Sequence, residues 1–363
     1  MPAINYGDAI GDAYERLAGL GYERGDRDFA NHGPMGAEAL CALGFGDHAA
    51  GWVEDYKRRM AHHDPPQPRW RIDGSEEQSW RPALGSFSRV GDWEQLFNAE
   101  LADTAWPDVL ARWWPRLLPG LLAALTHGLI RTAHAVRCLT AADHPDDLTL
   151  AELARGLAYW AARFRPLPDA IALGSTVTVA DAVAQIPRGG AADAAAAPRP
   201  QQAAGGDETA AGDGPVAVGR RLSELTITFA GVYLAHPEIP PVPLIHAVTA
   251  PAAMRLALSQ LPEGLHAMSL TAMWRAHIGM LQTFTRGTNS EGDSLSQAAE
   301  TSLRPWYELH LGALEHGDEH VIKFTEACSR ENALQPDPRF AAAASAAQQR
   351  IPRRPRVGAA SQR

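Results

Sequence analysis

The sequence predicts an all-α fold, on three observations. Apolar residues recur at helical spacing in segment after segment of an alanine- and leucine-rich chain. Alternating strand patterns are scarce, Val177-Thr178-Val179-Ala180 being the best of them. Several breaks between the periodic segments carry helix start and stop chemistry. In order, the spacing predicts helices over 8–20, 36–43, 48–60, 106–117, 120–139, 150–164, 221–234, 250–261, 267–284, 296–314 and 318–330. Pro115 and Pro119 force a bend before the helix that carries His127. Thr249 followed by Ala250 and Pro251 reads as an N-cap with proline in the first turn, which sets His246 just before a helix start.

A chain of 363 residues has ample length for a buried core, as one large or two medium domains. Residues 188–214 are rich in Ala, Gly, Pro and Gln and nearly empty of large apolar groups, so burial cannot offset their ordering entropy and a flexible insertion is expected. Residues 334–363 read as a flexible tail, apart from an alanine-rich stretch. Helices of similar character and candidate ligands stand on both sides of the insertion, so a single helical domain over 1–333 is the expectation.

Hydrophobic content of 45% with 21% charged residues describes a soluble globular protein. A net charge of -9 argues against a general nucleic-acid binder, and the basic run at 350–356 reads as a solvated tail. The N-terminus shows no signal peptide, and no stretch is read as long and apolar enough to span a bilayer. Cys41, Cys138 and Cys328, odd in number and set in helical patterns, are expected to be reduced core residues of a cytosolic protein.

Of 33 basic residues only Lys57 and Lys323 are lysines, and Lys323 lies in the apolar helical run His320-Val-Ile-Lys323-Phe-Thr-Glu326. A guanidinium keeps its proton, whereas a desolvated lysine amine becomes neutral and nucleophilic. His320, three residues earlier, shares its helix face. So does Glu326, and a Lys323–Glu326 ion pair is the purely structural alternative. Among 14 histidines, His32, His127, His246 and His320 stand beside apolar or turn-forming residues, where an unsatisfied imidazole is costly. A shared metal would satisfy all four; a capping role for His32 and local pairing of the others are the alternatives. His48, His62, His63, His144 and His236 read as surface, and His266, His277, His310 and His316 remain as supporting groups. The chain has no His-Glu-x-x-His, no Cys-x-x-Cys and no paired Glu-x-x-His. A histidine site without an obvious carboxylate brings Lys323 back, because a neutral amine takes up carbon dioxide to form a carbamate that supplies an anionic oxygen ligand. Gly44-Phe-Gly46-Asp-His-Ala49 matches a dinucleotide pattern formally but follows a helix, and there is no Walker loop or nucleophile elbow. Eight tryptophans crowd the first half, from Trp52 to Trp160, as core residues or as walls for a flat aromatic substrate.

Several motifs, in this order, resemble the questin oxidase family: Asn31-His-Gly-Pro-Met35, Trp113-Trp-Pro-Arg-Leu-Leu-Pro-Gly120, Thr126-His-Gly-Leu-Ile-Arg131, Gly156-Leu-Ala-Tyr-Trp-Ala-Ala-Arg163, His246-Ala-Val-Thr249 and His320-Val-Ile-Lys-Phe-Thr-Glu-Ala327. The likeness runs to about Glu331, the insertion excepted. It implies an oxygenase that opens a ring of a polycyclic aromatic, an anthraquinone-like polyketide or quinone, by Baeyer–Villiger-type or ring-cleaving chemistry with dioxygen. It further implies a mononuclear non-haem iron held by His32, His127, His246, His320 and carboxylated Lys323. The chain departs from the fungal pattern at Arg131, where a histidine is usual, and at His134, where an aromatic residue is usual. Arg131 and His134 are therefore expected to hydrogen-bond substrate oxygens or orient a ligand, at a substrate end that differs. The electron source stays open, NADPH through a partner reductase being one candidate. The competing readings are a zinc hydrolase built on the carbamylated lysine and a non-catalytic helical ligand-binding protein.

Overall fold

Alanine and leucine at helical spacing give each segment one apolar face, and the fold is the set of ways those faces cover one another. A computed structural model of the protein describes residues 4–169, 172–188, 214–286, 291–300 and 303–353. Among them are sixteen α-helices and a single two-stranded ribbon, which makes the chain all-α. The first half holds α1 (Tyr6–Leu17), α2 (Gly33–Ala42), α3 (Gly46–Arg59), α4 (Glu77–Trp80), α5 (Val90–Asp103), α6 (Trp106–Leu117), α7 (His127–Ala141) and α8 (Asp147–Ala162). The second holds α9 (Val179–Ala184), α10 (Pro215–Ala235), α11 (Pro241–Leu258), α12 (His266–Phe284), α13 (Ser294–Glu300), α14 (Trp306–His316), α15 (Glu319–Leu334) and α16 (Pro338–Arg350). The ribbon pairs β1 (Glu23–Arg24) with β2 (Phe29–Ala30) in antiparallel register, Glu23 opposite Ala30.

Four of these helices close a ring, α2 on α7, α7 on α11, α11 on α15 and α15 on α2. Outside it, α8 covers α7 and α5 covers α8. Two glycines allow the close approach of α7 and α8. A Cβ on Gly156 would stand 2.9 Å from the Thr132 backbone, and one on Gly128 would stand 2.5 Å from the Trp160 Cβ. The Trp113, Trp114 and Trp160 rings are buried in the main core, where Trp114 meets Trp160 edge to face at 5.4 Å between centroids.

Several expectations change. The helix expected from residue 120 starts at His127, because three consecutive residues before it, Ala124, Leu125 and Thr126, take left-handed backbone (φ 46, 55 and 66°). His246 does not precede a helix; α11 already begins at Pro241, and Pro251 lies inside it. Pro251 has no N–H to give the Ala247 carbonyl one turn back, and the His277 Nε2 contacts that carbonyl instead at 2.7 Å. The Thr249 hydroxyl donates to the Ile245 carbonyl rather than capping a new helix. The helix expected over 296–314 is two, α13 and α14, with Pro305 at the N-cap of the second. Val177-Thr-Val-Ala is no strand, since Thr178 caps α9. The α11 helix is apolar and long enough to cross a membrane, contrary to expectation, though 72% of that window is buried inside the protein. Of the expected insertion, residues 189–213 lie outside the described residues.

The tail is the largest correction. Residues 338–350 form α16, opened by an Asp337 cap and Pro338, and pack on α10, α14 and α15. Alanines at 341–344 and 347 let α16 lie close to its neighbours while Phe340 is fully buried. Residues 354–363 lie outside the described residues. Phe340→Ala is expected to lower unfolding free energy by about 3–5 kcal/mol in urea denaturation; a tail without a packing role would leave the midpoint unchanged.

Candidate metal centre

The helix ring brings four imidazoles to one point, with a ligand nitrogen of each of His32, His127, His246 and His320 within 4.8 Å of every other. His32 stands at the N-cap of α2, His127 is the first residue of α7, and His320 is the second of α15. His246 projects from the middle of α11. The backbone of His32 is fixed locally. Its N–H donates to the Tyr56 hydroxyl at 2.7 Å, that hydroxyl donates to Asn31 Oδ1, and the same oxygen accepts from Gly33 N. The Asn-His-Gly sequence is thus a turn whose side-chain amide oxygen closes both ends.

The outer nitrogens of three of the rings are engaged, whereas His32 Nδ1 is buried without a hydrogen-bond partner. His127 Nδ1 bonds to the Ala124 carbonyl, so its proton sits there and Nε2 presents a lone pair. His320 Nδ1 lies 3.3 Å from the Asp318 carboxylate, and His246 Nδ1 lies 3.4 Å from the Thr126 hydroxyl. Facing inward, His32 Nε2 stands 2.6 Å from His127 Nε2, and His246 Nε2 is buried with no hydrogen-bond partner. A cation that accepts several lone pairs resolves this crowding of acceptors. Imidazole nitrogens at this spacing fit a borderline transition metal such as iron or zinc.

The electrostatics is strongly positive. Three helix N-termini point at the cluster, those of α2, α7 and α15, each equivalent to roughly half a positive charge. Burial, and next the Lys323 ammonium, hold His32 and His127 well below the usual imidazole range. Burial and the neighbouring His127 and Lys323 do the same for His246. All three imidazoles are therefore neutral, as metal ligands must be. Lys323, 2% exposed, is pushed by burial from 10.5 down to about 7, against the raising influence of Glu319 and Asp318. Among the described residues no carboxylate lies within ion-pair distance of its ammonium. The expected alternative partner, Glu326, instead pairs with Arg137 and with Arg330. A half-neutral buried amine beside these three neutral imidazoles would be able to accept carbon dioxide and so turn a repelled cation into an anionic ligand.

The His127 edge of the cluster opens on a cleft of about 660 Å³. Its walls include Phe29, Leu125, Tyr159, Met280 and Phe284, and its mouth includes Arg27 and Arg165. A second cleft of about 730 Å³ lies by Trp80 and Arg116 and borders none of the five candidate ligands.

Arg131 and His134 do not reach the cleft. Arg131 is 2% exposed and donates from Nε and Nη2 to the two Glu152 oxygens, at 2.5 and 2.8 Å, tying α7 to α8. His134 bonds through Nδ1 to Glu38, which Arg137 also grips, tying α7 to α2. Both side chains secure the helices that carry His127 and His32. His236, read as surface, is buried between Glu238 and Glu291. Three supports escaped sequence reasoning: the left-handed turn at 124–126, the Asp318 carboxylate, and the buried Arg24–Glu319 pair beneath α15. Only Asp318 left a signal, as an acidic residue two before a histidine at a helix start. The three cysteines are free and buried.

Asp318→Asn keeps the α15 cap, since asparagine caps as well as aspartate, but removes the charge behind His320. Metal affinity is expected to fall about 10–100-fold by competition titration, with the unfolding midpoint of the metal-free protein nearly unchanged. Lys323 gives a pH signature in the metal-free protein. Its amine takes up a proton at pH 10.5 when unfolded but only near pH 7 when folded, so burial costs stability fully below pH 7 and the cost fades as pH rises to 10.5. Lys323→Met should therefore stabilise the metal-free protein at pH 6 by on the order of a few kcal/mol and progressively less toward pH 10. A difference independent of pH would mean that the amine carries no such shift.

No family model and no curated protein matches the chain.

Proposed function

We propose that the protein is a mononuclear non-haem iron oxygenase that inserts dioxygen-derived oxygen into a polycyclic aromatic substrate and cleaves a ring. The observation that carries the reading is the convergence of His32, His127, His246 and His320 beside the unpaired, buried Lys323, at the edge of a cleft large enough for a fused three-ring molecule. The resemblance to the questin oxidases, motif by motif, supports the same ligands and an anthraquinone-like substrate.

His32, His127, His246 and His320 would hold the metal through neutral nitrogens, and carboxylated Lys323 would supply the negative oxygen that balances its charge. Bound there, iron supplies the redox chemistry that activates dioxygen. The protein's own share is orientation and exclusion of water. The Ala124 carbonyl keeps the His127 proton on Nδ1, and the Asp318 carboxylate does the same for His320. Phe29, Leu125 and Phe284 offer flat apolar surface against which a ring can lie. The Tyr159 hydroxyl is already committed to Glu23 at 2.9 Å, which removes one donor from the cleft floor. Reducing equivalents would come from NADPH through a partner reductase.

One observation favours a second reading. Asp318, Glu319 and His320 form another group within metal-binding distance, sharing His320 with the first. Two zinc ions bridged by a carbamylated Lys323 would activate water and make the protein a hydrolase. Glu319 is already held by Arg24, which weighs against this arrangement.

Elemental mass spectrometry on protein purified without chelators separates the two. About one iron per chain, lost in both His246→Ala and Lys323→Ala, together with oxygen uptake in the presence of hydroxyanthraquinones, is the expected result. Two zincs per chain would favour the hydrolase, and metal-free protein that binds neither metal on reconstitution would end both readings.

A further inference from the structure

Most arginines in this acidic chain are spoken for. Arg24, Arg131, Arg137, Arg163, Arg188 and Arg255 all pair with carboxylates. Two that are not paired share one place. Arg27, in the turn between β1 and β2, and Arg165, in the segment after α8, both line the 660 Å³ cleft. Among the described residues neither forms an ion pair. The Arg27 guanidinium lies 6.0 Å from the centre of the Phe29 ring, so it extends the flat apolar wall with a cationic edge. The acidic residues of the same cleft do not neutralise the pair. Glu23 is taken by Arg163 and Tyr159, and Asp28 lies 3.7 Å from His63 Nε2.

The charge is also separated from the site by the right kind of surface. Of the lining residues Arg27, Arg165 and Phe29 are exposed, Leu125 and Phe284 half-buried, and His127 buried, so the arginines stand at the rim and His127 at depth. A planar aromatic with an anionic group at one end would present its charge to the guanidiniums and its opposite ring to the metal edge. A carboxylate suits the guanidinium fork, which offers parallel N–H donors in one plane.

We infer that the cleft selects planar aromatic acids, Arg27 and Arg165 holding the substrate carboxylate at the mouth while the ring system lies along Phe29 and Leu125 toward His127. This rests on the reading of the cleft as the substrate site, and it narrows that substrate from any polycyclic aromatic to an ionised one.

The test compares two probes of the same shape, anthraquinone-2-carboxylate and anthraquinone-2-carboxamide, binding to metal-free full-length protein by intrinsic tryptophan quenching and calorimetry. The carboxylate is expected to bind about tenfold more tightly at low ionic strength, the worth of one charge-assisted hydrogen bond at an exposed site. That preference should shrink at high salt, as for any exposed pair. In the Arg27→Gln/Arg165→Gln double variant it should disappear, while affinity for the carboxamide stays the same and shows that the cleft is intact. Equal affinity for the two probes, no binding of either, or a preference that survives in the double variant would overturn the inference. Oxygen uptake by the iron-loaded protein is a separate readout. Charge-selective binding without uptake would remove the oxygenase reading and leave the acid-selective cleft standing.

Discussion

Three helix N-termini, a lysine amine and four imidazoles converge on one volume that water scarcely reaches, and the excess positive potential there constrains whatever packs around it. Burial and the neighbouring positive charges keep His32, His127 and His246 free of protons, and burial draws Lys323 down to about 7 against the pull of Glu319 and Asp318. Inside the cluster His32 Nε2 and His127 Nε2 lie 2.6 Å apart, and His246 Nε2 has no hydrogen-bond partner. A cation among the nitrogens, with an anion to balance it, would relieve that arrangement. A lysine whose amine is half neutral could supply that anion, since taking up carbon dioxide removes one positive charge and adds a negative one. Arginine at the same position could not.

Holding four helices around that centre takes more than apolar packing. Arg131 with Glu152, His134 with Glu38, and Arg137 with both Glu38 and Glu326 tie α7 to α8, α2 and α15. Loss of one partner from such buried pairs costs about 3–5 kcal/mol, because the other charge is stranded. The turn before α7 is held in a costly conformation for a related reason. Three left-handed non-glycine residues cost roughly 1–2 kcal/mol each, and two of them contact the clustered histidines. Ala124 accepts from His127, and Thr126 meets His246. Strain of this kind persists where the surroundings over-determine it.

The same turn forms part of the cleft wall, so one short segment touches two of the clustered imidazoles and also lines the cleft. The geometry couples the two: Leu125 faces the cleft while its neighbours on either side grip imidazoles. Leu125 and His127 thus border the same cleft two residues apart, with the exposed Arg27 and Arg165 also lining it. Apolar depth with charge at the rim is the arrangement expected of a small-molecule pocket.

Helical periodicity along the chain was enough to determine the all-α class and most of the helices, because spacing of apolar side chains is a local property. The rarity of lysine marked Lys323, and the company of apolar or turn-forming residues marked His32, His127, His246 and His320, because a polar group in such company needs a partner wherever the chain folds. What spacing could not supply was the partner itself. Pro251 reads locally as a helix start, yet α11 runs through it because His277, on α12, meets the orphaned Ala247 carbonyl. Arg131 and His134 sit on the helix of His127 and so invited a role in the pocket, but Glu152 and Glu38 lie on other helices and claim them. The tail from 334 reads as flexible apart from its alanine-rich stretch, and that stretch folds as α16 because α10, α14 and α15 present a surface that small residues fit. Whether a given side chain is ligand, clamp or wall depends on neighbours distant in sequence, and those meet only when the helix ring has closed.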